Sequence, residues 1–527
     1  MATALTASRS PLSVTAARSP FTVVPVPGPR PEHRGLAHWM NRVLEELGQL
    51  QSSPDLDTVH DLRVAIRRCR SIATAMEEVD TNSAWPEMRK VGRRLFRALG
   101  TLRDTQVMEE WIKKLGSEDD LLRAELLSSL EADEKQFAES ALRTAAKFDK
   151  KEWTRLERIL RQRIRRVPVG GLVAECLALE RFEEAKDLHN RALRTEKPKP
   201  WHSLRVGLKK FRYTVEGLLP EHYAVWSENL KRLQDLLGDI HDLDVLSGLV
   251  EDTKISQTVG SSAFQKSWQE KIARARHERI ETYRQLTLGT TSVWHGWRHN
   301  LPHGRRLEAA ATARLRATAR AAGAHSHRNI LVSRIALRVF DLLRRAKAAP
   351  AFQDTSMRRI MEAAATLHGI ESAGEHRLSQ KGLRKFLLCV TVPPNWTAQE
   401  WDLMAWSVRF QRGAEPKQKN GFAKLSESQQ TAVRTMAGTL RLARALRKSG
   451  VESTVGLRSE KSADAIVLRV PGLPDTAETA ARLAAAKHLL ESVLEKPLLL
   501  KAAPAPAEAA APLEKKPEPP LVAVATA

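Results

Sequence analysis

The chain has 527 residues, a formal net charge of +23, 5% aromatic residues and only three cysteines. That length exceeds one ordinary core, so roughly two to four domains are expected, and the charge points to polyanions such as nucleic acid, anionic lipid or polyphosphate. Cys69, Cys176 and Cys389 lie too far apart in sequence for a disulfide framework or a C-x-x-C metal site and suit a reducing cytoplasm, and no run of about 18 apolar residues offers a membrane span.

In chain order, residues 1–31 contain no acid and are rich in Ser, Pro and Arg, a composition shared by transit peptides. Their prolines break any amphipathic helix, so the segment reads as a disordered tail. Helical periodicity begins near Glu32 and is punctuated at "RVPVGG" (166–171) and "TEKPKPWH" (195–202). Pro198 and Pro200 stop one helix, so another should start close to Trp201. Residues 291–327 form a very basic stretch, either a long surface helix or a linker. Amphipathic helices resume over 328–450. Strand character comes only at "ADAIVLRV" (463–470) and "KPLLL" (496–500), around a helical segment, giving a small α/β piece over 451–501. The Ala/Pro-rich end, 502–527, reads as a second disordered tail. The expected fold class is therefore mainly α.

An internal duplication is the strongest signal. "HDLRVAIRRCR" at 60–70 is echoed by "HSLRVGLKKFR" at 202–212, so that His60, Arg63, Arg67, Arg68 and Arg70 match His202, Arg205, Lys209, Lys210 and Arg212. A second block follows at a slightly shorter interval in the second copy. "LFRALGTLRDTQVMEEW" aligns with "LQDLLGDIHDLDVLSGL", matching Gly100 to Gly238, Arg103 to His241 and Asp104 to Asp242.

On a helix advancing about 100° per residue, Arg63, Arg67 and Arg70 share one stripe with His60. Leu62, Ile66, Cys69, Ala73 and Met76 fall on the opposite side. The second copy repeats this, with Arg205, Lys209 and Arg212 beside His202 and Leu204, Leu208, Phe211, Val215 and Leu218 behind. Most charge runs are simply solvated faces. Here, however, no acid within the stripe relieves like charges three and four residues apart, and the pattern occurs twice. Two such stripes facing one another would make a positively lined passage whose natural neutraliser is an external polyanion. Arginine forks match phosphate oxygens, lysine adds a point charge, and histidine gains basicity beside phosphate. The stripes lack the aromatic platforms of nucleic-acid readers, so a bare phosphate chain fits better than a duplex. Other basic segments, 150–167 and Arg93, Arg94 and Arg97, read as solvated faces.

These paired motifs, H-x-x-R-x-x-x-(R/K)-(R/K)-x-R and L-G-x-x-(R/H)-D, resemble the CHAD family, the conserved histidine α-helical domain, over 32–290, with repeats at about 32–168 and 169–290. The resemblance implies two antiparallel helical bundles with pseudo-twofold symmetry, basic helices lining a central pore, polyphosphate as ligand and localisation to polyphosphate granules. By matching positions it implies contacts from His60, Arg63, Arg67, Arg68, Arg70, His202, Arg205, Lys209, Lys210 and Arg212, with Arg68 and Lys210 on the flank. It implies that Arg103 and His241 add charge, while Asp104 and Asp242 either orient basic neighbours or have plain structural roles. No cofactor is implied.

Residues 328–450 more weakly resemble the HD-like C-terminal domain of exopolyphosphatase and guanosine pentaphosphatase proteins, through "VSRIALRVFDLL", "IMEAAATLHGI", "WSVRFQRGAEP" and "MAGTLRLARALRKSG". The metal-binding His-Asp pair reads His368-Gly369, and Arg328, Gln411 and Arg444 stand where further ligands would be expected, so a degenerate site is expected. His376 is isolated. No Walker A sequence, Gly-rich phosphate loop or E-x-E-x-K strand is found. Phosphoanhydride hydrolysis normally needs acids that hold a divalent ion, and the strong stripes are basic only. The chain reads as a non-catalytic polyphosphate binder. A phosphohydrolase in the C-terminal half and a general nucleic-acid binder are the alternatives.

Overall fold

A computed structural model describes residues 35–52, 56–252, 261–373, 376–417, 420–460, 462 and 464–504. The tail 1–31 and all but the start of 502–527 lie outside them. The described chain is mainly helical, with one small three-stranded sheet and a two-stranded ribbon.

In chain order the first helices are α1 (Leu36–Ser52), α2 (Leu56–Met76), α3 (Ala84–Val91), α4 (Arg93–Leu115), α5 (Leu121–Ala146) and α6 (Lys150–Ile164). Then come α7 (Leu172–Ala192), α8 (Pro198–Leu218), α9 (Pro220–Asp252), α10 (Ser261–Thr287), α11 (Val293–Asn300) and α12 (Gly304–Ala321). The last are α13 (His327–Arg345), α14 (Thr355–Leu367), α15 (Gln380–Cys389), α16 (Ala398–Arg409), α17 (Glu427–Lys448) and α18 (Ala477–Leu494). Local chemistry sets many of these boundaries. Asp120 accepts from the backbone N–H groups of Leu122 and Arg123 to start α5, and Pro198 occupies the first turn of α8, where its missing N–H costs nothing. Thr397 with Glu400 and Ser426 with Gln429 form capping boxes on α16 and α17.

The described residues fall into two compact units, one drawn from 1–71, 93–148 and 181–302, the other from 72–92, 149–180 and 303–527. In the first unit, α4, α5, α9 and α10 share a core of Met108, Trp111, Ile112, Leu122, Leu126, Leu243, Leu246 and Trp268. Around α8 a chain of ring contacts joins Phe182, Phe211, Trp226, Trp294 and Trp297. Gly207 lets α8 approach α7, because a Cβ there would stand 2.6 Å from Leu188 Cδ1. The apolar faces expected of the duplicated helices are buried: Leu62, Ile66 and Cys69 on α2, and Leu204, Leu208, Phe211 and Val215 on α8.

The second unit has one large core running from α12 through α18 and into the sheet. Its strands are β3 (Arg458–Glu460), β4 (Ile466–Pro471) and β5 (Leu498–Ala503); β3 is antiparallel to β4, and β5 is parallel to it with Leu468 opposite Leu500. The helix between β4 and β5 is α18, which gives the small α/β piece its crossover. Strand β3 and the ribbon β1 (Ser372–Ala373) with β2 (His376–Arg377) carry no apolar alternation to announce them. The basic stretch 291–327 folds as α11 and α12, and α12 buries Arg314 completely. There Arg314 Nε meets Glu180 Oε1 at 3.1 Å, Nη1 donates to the Thr391 carbonyl at 2.8 Å, and Glu78 stands 3.9 Å from Nη2. In the same unit Asp80 accepts from Trp85 Nε1 at 3.0 Å and from Arg163 Nε at 2.6 Å. No helix among the described residues is long and apolar enough to cross a membrane.

Candidate anion-binding site

All the duplicated basic residues lie in the first unit, where α2 and α8 bring the two stripes into electrostatic contact. Burial lowers the pKa of Arg67 of α2, and repulsion from its neighbours Arg63 and Arg68 and from Arg212 of α8 lowers it further. Lys209 of α8 senses Arg205 on its own helix and both Arg67 and Arg63 on α2. Burial first, and then these three guanidiniums, push the Lys209 ammonium down to about 7. The Tyr213 ring lies beneath both helices' arginines, 5.6 Å from Arg67 Cζ and 6.0 Å from Arg212 Cζ.

The second repeated block supplies the floor. On α4, Asp104 Oδ1 accepts from both terminal nitrogens of Arg63 at 3.4 Å, and the Gly100 carbonyl accepts from Nη1 at 3.3 Å. On α9, Asp242 faces Arg205; burial raises its carboxyl to about 6, with Asp104 and Asp239 adding to the rise. His202 and His241 meet Nδ1 to Nδ1 at 3.3 Å. Burial, then the charges of Arg205, His202 and Lys209, hold His241 down at about 4, so it is neutral near pH 7. His60 stands exposed at the head of α2.

The remaining basic residues have partners within the protein, carboxylates for some and neutral groups for others. Arg68 pairs with Glu216 and lies 4.2 Å over the Trp39 ring. Lys210 Nζ reaches Glu184 at 2.6 Å, and Arg103 reaches Glu110 at 3.2 Å. Arg212 donates to Gln234 Oε1 at 3.0 Å, and Arg70 packs over Phe96, 5.1 Å from its centroid. What is left is sharply defined. Among the described residues, no carboxylate forms an ion pair with Arg67, Arg205 or Lys209, and Nε of both arginines is buried without a hydrogen-bond partner. Among the described residues, these three half-buried cations on two facing helices have neither an ion pair nor a side-chain hydrogen bond.

The stripes themselves were legible in the sequence, but their partners were not. Phe96 and Trp39 reach the arginines from other helices, and of the counter-ions only Glu216 lies on the same helix as a stripe. The solvated reading of 150–167 matches Arg155 and Arg161, which pair with Glu152 and Glu157 on the same helix. Arg93, Arg94 and Arg97 are exposed.

In the second unit, burial holds His368 neutral, down at about 4, and its Nδ1–H donates to the Ala365 carbonyl at 2.7 Å. Gln411 donates to the His368 carbonyl at 2.7 Å, and Arg444 Nη1 stands 3.4 Å from Gln411 Oε1. A Cβ at position 369 would collide with the Asn329 amide at 2.3 Å, so packing requires Gly369. Arg328 is exposed, and the His376 side chain lies outside the described residues. Among the described residues no group of three His, Cys, Asp or Glu side chains gathers where it could hold a metal.

The facing basic helices, each followed by its L-G-x-x-(R/H)-D block, place this region among known proteins. Residues 35–251 match the CHAD domain family model. The CHAD match thus takes in both stripes and both acid-bearing blocks. A crystal structure of the CHAD domain from the plant Ricinus communis is similar at 20% sequence identity, covering 47% of this chain and 88% of that one with a TM-score of 0.37. No curated protein matches the chain.

Proposed function

We propose that the protein binds inorganic polyphosphate through the facing stripes of α2 and α8. The observation that carries this reading is the set of half-buried cations without direct counter-ions, Arg67, Arg205 and Lys209. Such a cluster raises the free energy of the empty protein, and a chain of phosphates would discharge it along its length. The CHAD match supports the ligand class, since that family is associated with polyphosphate. The aromatic rings near the site lie beneath guanidiniums, with Tyr213 itself buried, so they pre-order arginines and leave no bare platform for bases. In this reading the CHAD region forms a phosphate-binding passage lined by basic helix faces, the chain is a binder without catalysis of its own, and it acts in the cytoplasm at polyphosphate granules.

The test is direct competition at fixed salt among long-chain polyphosphate, duplex DNA and single-stranded RNA, with phosphate release followed in magnesium or manganese. Polyphosphate should bind much the tightest and remain intact. Equal affinity for DNA at physiological salt would sink the binding reading. Metal-dependent phosphate release, lost on His368→Ala, would move the function to the C-terminal half.

A further inference from the structure

The second unit contains a cavity of about 510 Å³, bounded by α12, the end of α13, α14 and the loop 394–396. Its walls are stiffened. Arg359 Nη1 donates to the Asn395 carbonyl at 3.0 Å, pairs with Glu400 and lies 4.9 Å over the Trp396 ring. Arg358 is held by Asp341 at 2.7 Å and by Glu362 at 3.5 Å.

Inside these walls several polar groups are unspent. Arg344 is half-buried and has no acidic partner among the described residues, although every other arginine lining the cavity has one. Thr355 and Glu308, both exposed, also line the cavity, and neither side chain makes a hydrogen bond among the described residues. The start of α14 is not itself an anion hole, because Asp354 already accepts from the Ser356 N–H at 2.8 Å.

We propose that this cavity binds a nucleoside phosphate. A cavity of this size suits a mononucleotide, within the roughly 300–1,000 Å³ usual for small-ligand sites. Arg344 and Thr355 supply a cation and a hydroxyl donor for the phosphate. The outer plane of the Arg359 guanidinium, held flat on the Trp396 ring, supplies a rigid planar wall for the base. Glu308 is an acceptor for a ribose hydroxyl. A bare oxyanion would use only Arg344 and Thr355, leaving the planar wall and the carboxylate without purpose.

Titration calorimetry on the full chain tests this with adenosine and guanosine mono- and triphosphates, with inorganic phosphate alongside. The expected result is saturable binding of at least one nucleotide, weakened about tenfold or more by Arg344→Ala and by Thr355→Val. Binding should survive Arg205→Ala, which disables the first unit's basic site. Three outcomes overturn the proposal: no saturable nucleotide binding, binding lost with Arg205→Ala but kept in Arg344→Ala, or inorganic phosphate binding as tightly as the nucleotides. Trp396→Leu, checked for an unchanged melting temperature, adds a readout of the base wall; unchanged affinity there would also count against it.

Discussion

Lys209 makes polyphosphate binding depend on pH in a way that can be calculated. In the empty site its ammonium titrates at about 7, because it is buried and faces Arg205, Arg67 and Arg63, with the Asp242 carboxylate opposing them. Bound phosphates reverse the sign of that field and restore the lysine towards its ordinary value near 10.4. At about pH 6 Lys209 is mostly charged before binding. At about pH 8 only about a tenth of molecules carry the charge, so binding must first protonate the rest. Affinity should therefore fall about tenfold between those pH values, equivalent to about 1.4 kcal/mol. Each binding event at the higher pH should take up close to one proton, read from calorimetry in two buffers of different ionisation enthalpy. The interior phosphates of a long chain are strong acids and stay ionised throughout. Lys209→Arg keeps its charge across this range and should bind with a flatter pH profile. Asp242, raised to about 6, is present in both proteins, so the difference between their profiles isolates Lys209. Identical pH slopes for wild type and Lys209→Arg, or binding without proton uptake, would refute the reasoning.

Arg67→Ala and Arg205→Ala should each weaken polyphosphate binding by about ten- to a hundredfold and lower the salt dependence by about one counter-ion each, by extension from nucleic acid. Filter binding across a salt series reads both. Lys209→Met should raise the melting temperature of the ligand-free protein. A lysine whose folded pKa is depressed penalises the fold most below about pH 7 and not at all above its unfolded value near 10.4, so the gain should be larger at low pH than at high pH. Gly238 lies inside α9 with nothing within 4 Å of a Cβ placed there, so Gly238→Ala should stabilise by about 1 kcal/mol in urea unfolding. Arg314→Met removes the fully buried guanidinium that Glu180 faces and should cost about 3–5 kcal/mol; the double change with Glu180→Gln should recover part of that loss.

The repeated glycine of the second block has no steric explanation here, since Gly100 meets Arg63 only at an ordinary 3.9 Å and Gly238 meets nothing. The repeated aspartate is explained: Asp104 orients Arg63, and its counterpart Asp242 faces Arg205. Strand β4 was legible because Ile466, Val467 and Leu468 form a continuous apolar run, whereas β3 was hidden because "RSE" is an exposed edge with no side-chain pattern.

Periodicity and duplication are local properties, and they were enough to determine the helices, their buried faces and the two matching stripes. Neutralisation is not local. His60, Arg63, Arg67, Arg68 and Arg70 look alike along α2, yet Glu216, reaching Arg68 from α8, makes it a structural cation while Arg67 stays unpaired. The same sorting leaves Lys209 without an ion pair beside Lys210, which Glu184 of α7 holds. The sequence alone supplied the charge; which of those charges remain free for a ligand was decided only when acids from distant helices packed against some of them and not others.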